Sequence, residues 1–240
     1  MERSLDRTGR RQRGLLTTPQ LLRAGWSADE IHDAVDRNDL IVVRRRVYRV
    51  AGAPFDRETA MLGAVLGAGA GTHLGLLSTA ELFGFRRYPV PDLIQVLTTA
   101  TPARVPGVQG HHTISLPAYD LTHFRSIPTT TAERAFIDTC GTVDAKTLSE
   151  SGDDLFRRKV MWLPRLVKSF ELIPASGRRQ RRPMYDFFAE RVAGYDPGGS
   201  TRELDVMKII RGGGPGLVMP RQKYRVRVEG HTYYLDYGWP

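Results

Sequence analysis

The stretch LLTTPQLLRAGWSADEIHDAVDRNDLIVVRRRVYRV, residues 15–50, carries the densest local signals in the chain. Thr17-Thr18-Pro19 opens a helix, because proline is tolerated in the first turn, where its missing N–H costs nothing. Leu21 and Leu22 give that helix a face to bury, and Gly25 supplies the turn residue after Ala24. Ser27 and Glu30 have capping-box spacing, in which each side chain satisfies a backbone donor left open at the helix start. Ile31, Ala34 and Val35 follow at helical spacing. Ile41-Val42-Val43 and Val47-Tyr48 read as strands on either side of Arg44-Arg45-Arg46.

Helix, turn, helix and basic hairpin is the outline of a winged helix, whose usual job is to hold DNA. The second helix complicates that picture. Asp29 and Glu30 suit its positive dipole end, but Asp33 and Asp36 face outward and repel phosphate. Only His32, Arg37 and Asn38 suit contact with a base or its backbone. The positive charge lies elsewhere, in Arg10, Arg11 and Arg13 before the helices and Arg44, Arg45, Arg46 and Arg49 after them. Phosphate contacts from this arm and wing are therefore expected to dominate affinity. The competing reading is a helical hairpin for protein contact with a solvated arginine run.

Working outward, 240 residues suffice for one large domain or two to three small ones. A net charge of +9 and a pI near 10.0 fit a polyanionic partner, nucleic acid first among them. An anionic membrane surface lacks an amphipathic anchor helix in support. Cys140 is the sole cysteine, so no disulfide within the chain and no thiolate metal cluster can form. Its apolar neighbours mark it as a small buried residue. The arginine-rich N-terminus has no apolar segment behind it and does not read as a secretory signal. Residues 60–85, the most apolar stretch, are broken by His73, Glu81 and glycines and do not read as a membrane span. Cytoplasmic location is the expectation.

Met1 to Arg13 reads as a mobile basic arm, and Gly52-Ala53-Pro54 as the exit linker of the N-terminal module. Asp56 caps a helix to about Ala68, and Ser78 to Phe85 forms another. Leu93 to Leu97 and Thr113 to Leu116 read as strands, and Ile127 to Thr131 leads into a helix. Helices are expected over 144–159, 163–172 and 184–192. Ser200 and Glu203 repeat the capping-box spacing, opening a helix through Arg211. Tyr224, Val226 and Val228 alternate with Lys223, Arg225 and Arg227 in a strand. After the Glu229-Gly230 turn, Tyr233 to Trp239 returns with Asp236.

Three constellations invite chemistry. Gly67-Ala68-Gly69-Ala70-Gly71 lacks both the following lysine and the G-x-G-x-x-G spacing, so it reads as a helix terminus and not a phosphate loop. His111 and His112 point to opposite strand faces and do not share a metal with His123. Glu203 and Asp236 are the carboxylate pair that can converge on magnesium, which keeps waters and adds substrate phosphate oxygens. A helix cap explains Glu203 equally well, and a cross-strand pair with Lys223 or Arg225 explains Asp236.

Residues 15–50, Ser78-Thr79-Ala80-Glu81-Leu82-Phe83-Gly84-Phe85 and Ile127-Pro128-Thr129-Thr130-Thr131-Ala132-Glu133-Arg134 resemble AbiEi-type antitoxins of type IV toxin–antitoxin systems. Arg46 stands where that family commonly has glycine before valine-tyrosine. Ser200-Thr201-Arg202-Glu203-Leu204 and Leu235-Asp236-Tyr237-Gly238-Trp239-Pro240 are similar to the first elements of very-short-patch-repair endonucleases, of the PD-(D/E)XK superfamily. In that family a second acidic residue follows the aspartate strand, and here nothing follows Pro240. The resemblance therefore implies a truncated nuclease-like site with Glu203 and Asp236 as remnants, inactive alone.

The resulting expectation is an α+β protein. It comprises a basic arm (1–14), a winged-helix DNA-binding domain (15–52), an α+β middle domain (53–195) and an incomplete restriction-endonuclease-like α/β segment (196–240). Its leading function is binding of double-stranded DNA as an antitoxin-like transcriptional regulator, without a cofactor and away from membranes. The alternatives are a magnesium-dependent DNA endonuclease with Asp236 on the metal, and a protein-binding antitoxin that masks a cognate toxin.

Overall fold

Capping signals and apolar spacing set the elements nearest the N-terminus. The computed structural model describes residues 3–173, 181–191 and 220–239. It has a helix α1 (Arg3–Arg11), a strand β1 (Leu15–Thr17), helices α2 (Thr18–Arg23) and α3 (Ala28–Asp36), and strands β2 (Leu40–Arg44) and β3 (Val47–Val50). The strands form an antiparallel sheet of order β1-β3-β2. The Thr17 N–H donates to Gln20 Oε1 at 2.9 Å, fixing the start of α2. At α3 the reciprocal box is complete: Ser27 N–H donates to Glu30 Oε2 at 2.7 Å, and Glu30 N–H to Ser27 Oγ at 3.1 Å.

The arm expected to be mobile contains α1 instead. Leu5 is its anchor, buried with Leu16, Leu21, Ile31, Ala34 and Leu40 in a small apolar cluster. One well-placed leucine on an otherwise polar helix is enough to dock it, since burying a leucine contributes about 1.5–3 kcal/mol.

Asp56 caps a helix α4 (Arg57–Ala68), accepting from the Thr59 N–H at 2.7 Å. This helix has a second layer on each side. Its Met61, Leu62, Ala64 and Val65 share one core with Leu15 and Val47 and with Leu74, Ile94, Val96 and Ile127. The apolar core therefore runs across the expected exit linker at residues 52–54. Gly14 reports how closely the chain passes there: its φ is +83°, and an added Cβ would lie 2.3 Å from the Ala53 Cβ.

Beyond α4 lies a five-stranded sheet of β4 (His73–Leu74), β5 (Ile94–Thr98), β6 (Val108–His112), β7 (Leu121–Phe124) and β8 (Ile127–Thr130), in the order β6-β5-β4-β8-β7. Pairs β5/β6 and β4/β8 are parallel, and β4/β5 and β7/β8 antiparallel. The strand expected at residues 113–116 is displaced to β6. An edge strand needs backbone pairing on one side more than apolar alternation, and Val-Gln-Gly-His-His carries little alternation to read. Likewise Ile127 to Thr130 is a strand, after which Thr131 caps the next helix by accepting from the Arg134 N–H at 3.2 Å.

Helices α5 (Leu76–Phe83), α6 (Ala132–Thr139), α7 (Ala145–Arg157), α8 (Leu163–Leu172) and α9 (Arg182–Ala189) supply a second core. It contains Phe83, Phe85, Phe136, Leu148, Leu155, Leu166 and Phe187. Cys140 belongs to it, and burial pushes its thiol up to about 11, so it stays protonated and inert at neutral pH. Strands β9 (Arg221–Val228) and β10 (His231–Gly238) make an antiparallel hairpin in which Tyr233 faces Val226 and Leu235 faces Tyr224. The chain is thus mixed α+β. Among the described residues no helix is long and apolar enough to cross a membrane.

Candidate nucleic-acid interface

The arginines of the N-terminal unit fall into two groups with different fates. Arg45 and Arg46 form the tight turn between β2 and β3, since Arg44 pairs directly with Val47. Both are exposed, and neither side chain has a hydrogen-bond or ion-pair partner among the described residues. The Arg46 carbonyl accepts from the Thr18 N–H at 3.0 Å, which holds this turn against the start of α2. Arg46 sits at φ +64°, a left-handed conformation that favours glycine.

Arg13, Arg44 and Arg49 are engaged internally, contrary to the expectation that they face a ligand. Arg13 pairs with Asp56 at 2.8 Å and Glu58 at 3.2 Å, which joins the end of α1 to the start of α4. Arg44 donates to the Pro106 carbonyl and packs its methylenes against Gly67, so burial lowers the pKa of its guanidinium. Arg49 donates to the Ala53 carbonyl and lies 5.6 Å from the centre of the Phe55 ring. Arg10 pairs with Asp6 at 3.0 Å but stays exposed, as does Arg11.

The expected base-contacting group also divides. Asn38 adopts φ +59° and ends α3: its N–H donates to the Val35 carbonyl at 3.0 Å, and the Asp39 N–H to the Ala34 carbonyl at 2.9 Å. That is a Schellman closure, with asparagine in the position usually held by glycine. Arg37 pairs with Asp39 at 3.1 Å, and His32 approaches Asp36 at 3.6 Å. Both remain largely exposed. Around them Asp29, Glu30, Asp33 and Asp36 are all exposed, so the outer face of α3 is acidic.

Sequence reasoning missed a cleft of about 880 Å³ between the β2–β3 turn and the end of the five-stranded sheet. Arg23 from α2, Arg45 and Arg46 from the turn and Arg104 from the β5–β6 loop line it, with His73 and His123. No aspartate or glutamate is among its lining residues. Arg23 Nε donates to the Pro19 carbonyl at 3.0 Å, and the side chain is exposed. Burial is the main reason the His73 pKa lies below its usual value, and His123 nearby adds to the effect. The glycine run at residues 67–71 forms one wall beside Leu66 and Val105.

Glu203 lies outside the described residues. Asp236 stands on β10 between Leu235, paired with Tyr224, and Tyr237, paired with Gln222. His111 and His112 occupy β6 and do not line the cleft; His111 is partly buried and lies in register with His73 across β5, and His112 is exposed. Among the described residues no group of three or more histidine, cysteine or carboxylate side chains is placed to hold a metal. No known family model matches the chain, and no curated protein matches it.

Proposed function

We propose that this protein binds DNA, that residues 3–50 form a winged helix, and that the β2–β3 turn is the wing that meets the phosphates. The order helix, strand, helix, helix, hairpin, with β1 added to the outer side of β3, supports the winged-helix reading. The observation that carries the function is the pair Arg45 and Arg46, two exposed guanidiniums at a hairpin tip beside an acid-free surface. Guanidinium forks match phosphate oxygens well and remain charged at every physiological pH.

The acidic face of α3 argues against its insertion into a major groove. Four exposed carboxylates there repel a duplex whose charge density is about one per 1.7 Å of axis. Contact is therefore made chiefly by the wing and the neighbouring Arg23, with Arg10 and Arg11 of α1 as further exposed charge. Affinity comes mainly from backbone phosphates and is only weakly dependent on sequence. On the resemblance to AbiEi-type antitoxins, this binding serves regulation of the protein's own operon.

The test is duplex affinity across a salt series, for the wild type and for an Arg45→Ala/Arg46→Ala variant. The expected result is a falling log–log salt dependence whose slope shrinks by about 2 in the double variant. Salt-independent affinity, or identical slopes, would overturn the reading.

A further inference from the structure

The cleft is too small for a duplex, and this decides what it takes. A volume of about 880 Å³ lies in the range of pockets that enclose a small ligand, about 300–1,000 Å³. From the nucleic-acid reading above, on which this rests, we infer that the cleft accepts an unpaired segment of a nucleic-acid strand, with phosphates on its arginines and a base against its apolar wall.

Its chemistry is divided in the way such a ligand needs. Arg45, Arg46, Arg23 and Arg104 stand around the cleft with no carboxylate among them. Arg104 arrives from the five-stranded sheet and the other three from the N-terminal unit, so cations face the cleft from both sides. The carboxyl end of α4 contributes the opposing charge, about half an elementary unit, which four guanidiniums outweigh. Leu66, Val105 and Pro128 provide apolar surface on which a base can rest. A continuous strand fits better than a free nucleotide because Arg45 and Arg46 both line the cleft and stand exposed at its rim. A strand lying on the wing is thus led directly into it.

Arg44 joins the two sides of the cleft. Its side chain runs between Gly67 and Gly107, and its donation to the Pro106 carbonyl fixes the loop that carries Arg104. An added Cβ at Gly67 would meet Arg44 Cδ at 3.4 Å, and one at Gly107 would meet Arg44 Nη1 at 3.4 Å. Both are ordinary van der Waals distances, so the arginine side chain lies directly beside these two backbone positions.

The experiment measures fluorescence anisotropy of the full chain with a labelled short oligothymidylate and, separately, a labelled duplex. Arg104→Glu reverses one cleft charge, and Ala70→Trp fills the space from an exposed lining position without changing charge. Each variant is expected to weaken single-strand binding by about tenfold and to leave duplex affinity within about twofold. Unchanged single-strand affinity in both variants, with duplex binding intact, would overturn the cleft assignment alone. Absence of both single-strand and duplex binding by the wild type would remove the reading on which it rests. Displacement of the oligonucleotide by thymidine monophosphate at equal concentration of nucleotide units would assign the cleft to a free nucleotide and overturn the strand.

Discussion

Arg44 donates its guanidinium N–H to the Pro106 carbonyl, joining the wing strand to a loop 62 residues further along the chain. The first arginine of a basic run is thereby a structural tie, while its neighbours Arg45 and Arg46 are exposed. The three arginines should separate cleanly under mutation.

Arg44→Ala is expected to lower stability by about 1–3 kcal/mol, since a half-buried charged donor and its packing are lost. Arg45→Ala and Arg46→Ala, at exposed sites, should each stay within about 0.5 kcal/mol on removal of charge alone. Denaturant titration of the three variants checks this. Equal destabilisation by all three would contradict the assignment of Arg44 as a tie.

Arg46→Gly sets stability against binding at a single position. Relief of the left-handed conformation at φ +64° is expected to raise stability by about 1 kcal/mol, less the backbone entropy that glycine adds to the unfolded chain. The same change removes a phosphate ligand, so duplex affinity should fall as its melting temperature rises. Parallel melting and binding curves decide the matter, and a variant weakened in both would contradict the conformational account.

Asp56 predicts an acid-sensitive helix start. Hydrogen bonds from the Thr59 N–H and hydroxyl lower its carboxyl from the ordinary 3.8 to about 2, helped by Arg13. A depressed carboxyl stabilises the fold fully above its unfolded value, and that stabilisation drains as pH falls from 3.8 towards 2. Asp56→Ala should therefore cost about 1 kcal/mol at neutral pH. The gap between variant and wild type should close through that acid window. A gap that persisted below it would show the loss to be packing and not charge.

The largest single effect is expected at a buried charge network. Arg134, about 1% exposed, donates to Asp120 at 2.6 Å and to Asp138 at 2.7 Å. Burial alone would lower the Arg134 pKa, but Asp138 and Asp120 outweigh it and hold it above the usual value. Asp120→Ala leaves part of a buried charge unmatched and should cost about 3–5 kcal/mol. Calorimetry of this variant beside Arg10→Ala, whose exposed pair with Asp6 should contribute under about 1 kcal/mol, tests the contrast.

What the amino-acid sequence determined by itself is the local register of this protein. The Ser27/Glu30 box, the Asp56 cap, the proline near the start of α2 and the apolar spacing of α3 are all decided within one helical turn. The β2–β3 and β9–β10 hairpins were legible for the same reason, because each pairs strands that are adjacent in sequence. Strand β4 and the position of β6 were not, because short strands with few apolar residues are selected by partners outside a local hairpin. β7 pairs with β8 across a two-residue turn, but Leu-Thr-His-Phe offers too short a pattern to read as a strand. The tertiary structure alone decided which arginines are available. Arg13 finds Asp56 across 43 residues and Arg44 finds Pro106 across 62, and no spacing rule encodes such meetings. Leu5 likewise became an anchor only once α2 and α3 had built a pocket for it. Charge is written in the residue, but whether it faces solvent depends on what the rest of the chain packs against it.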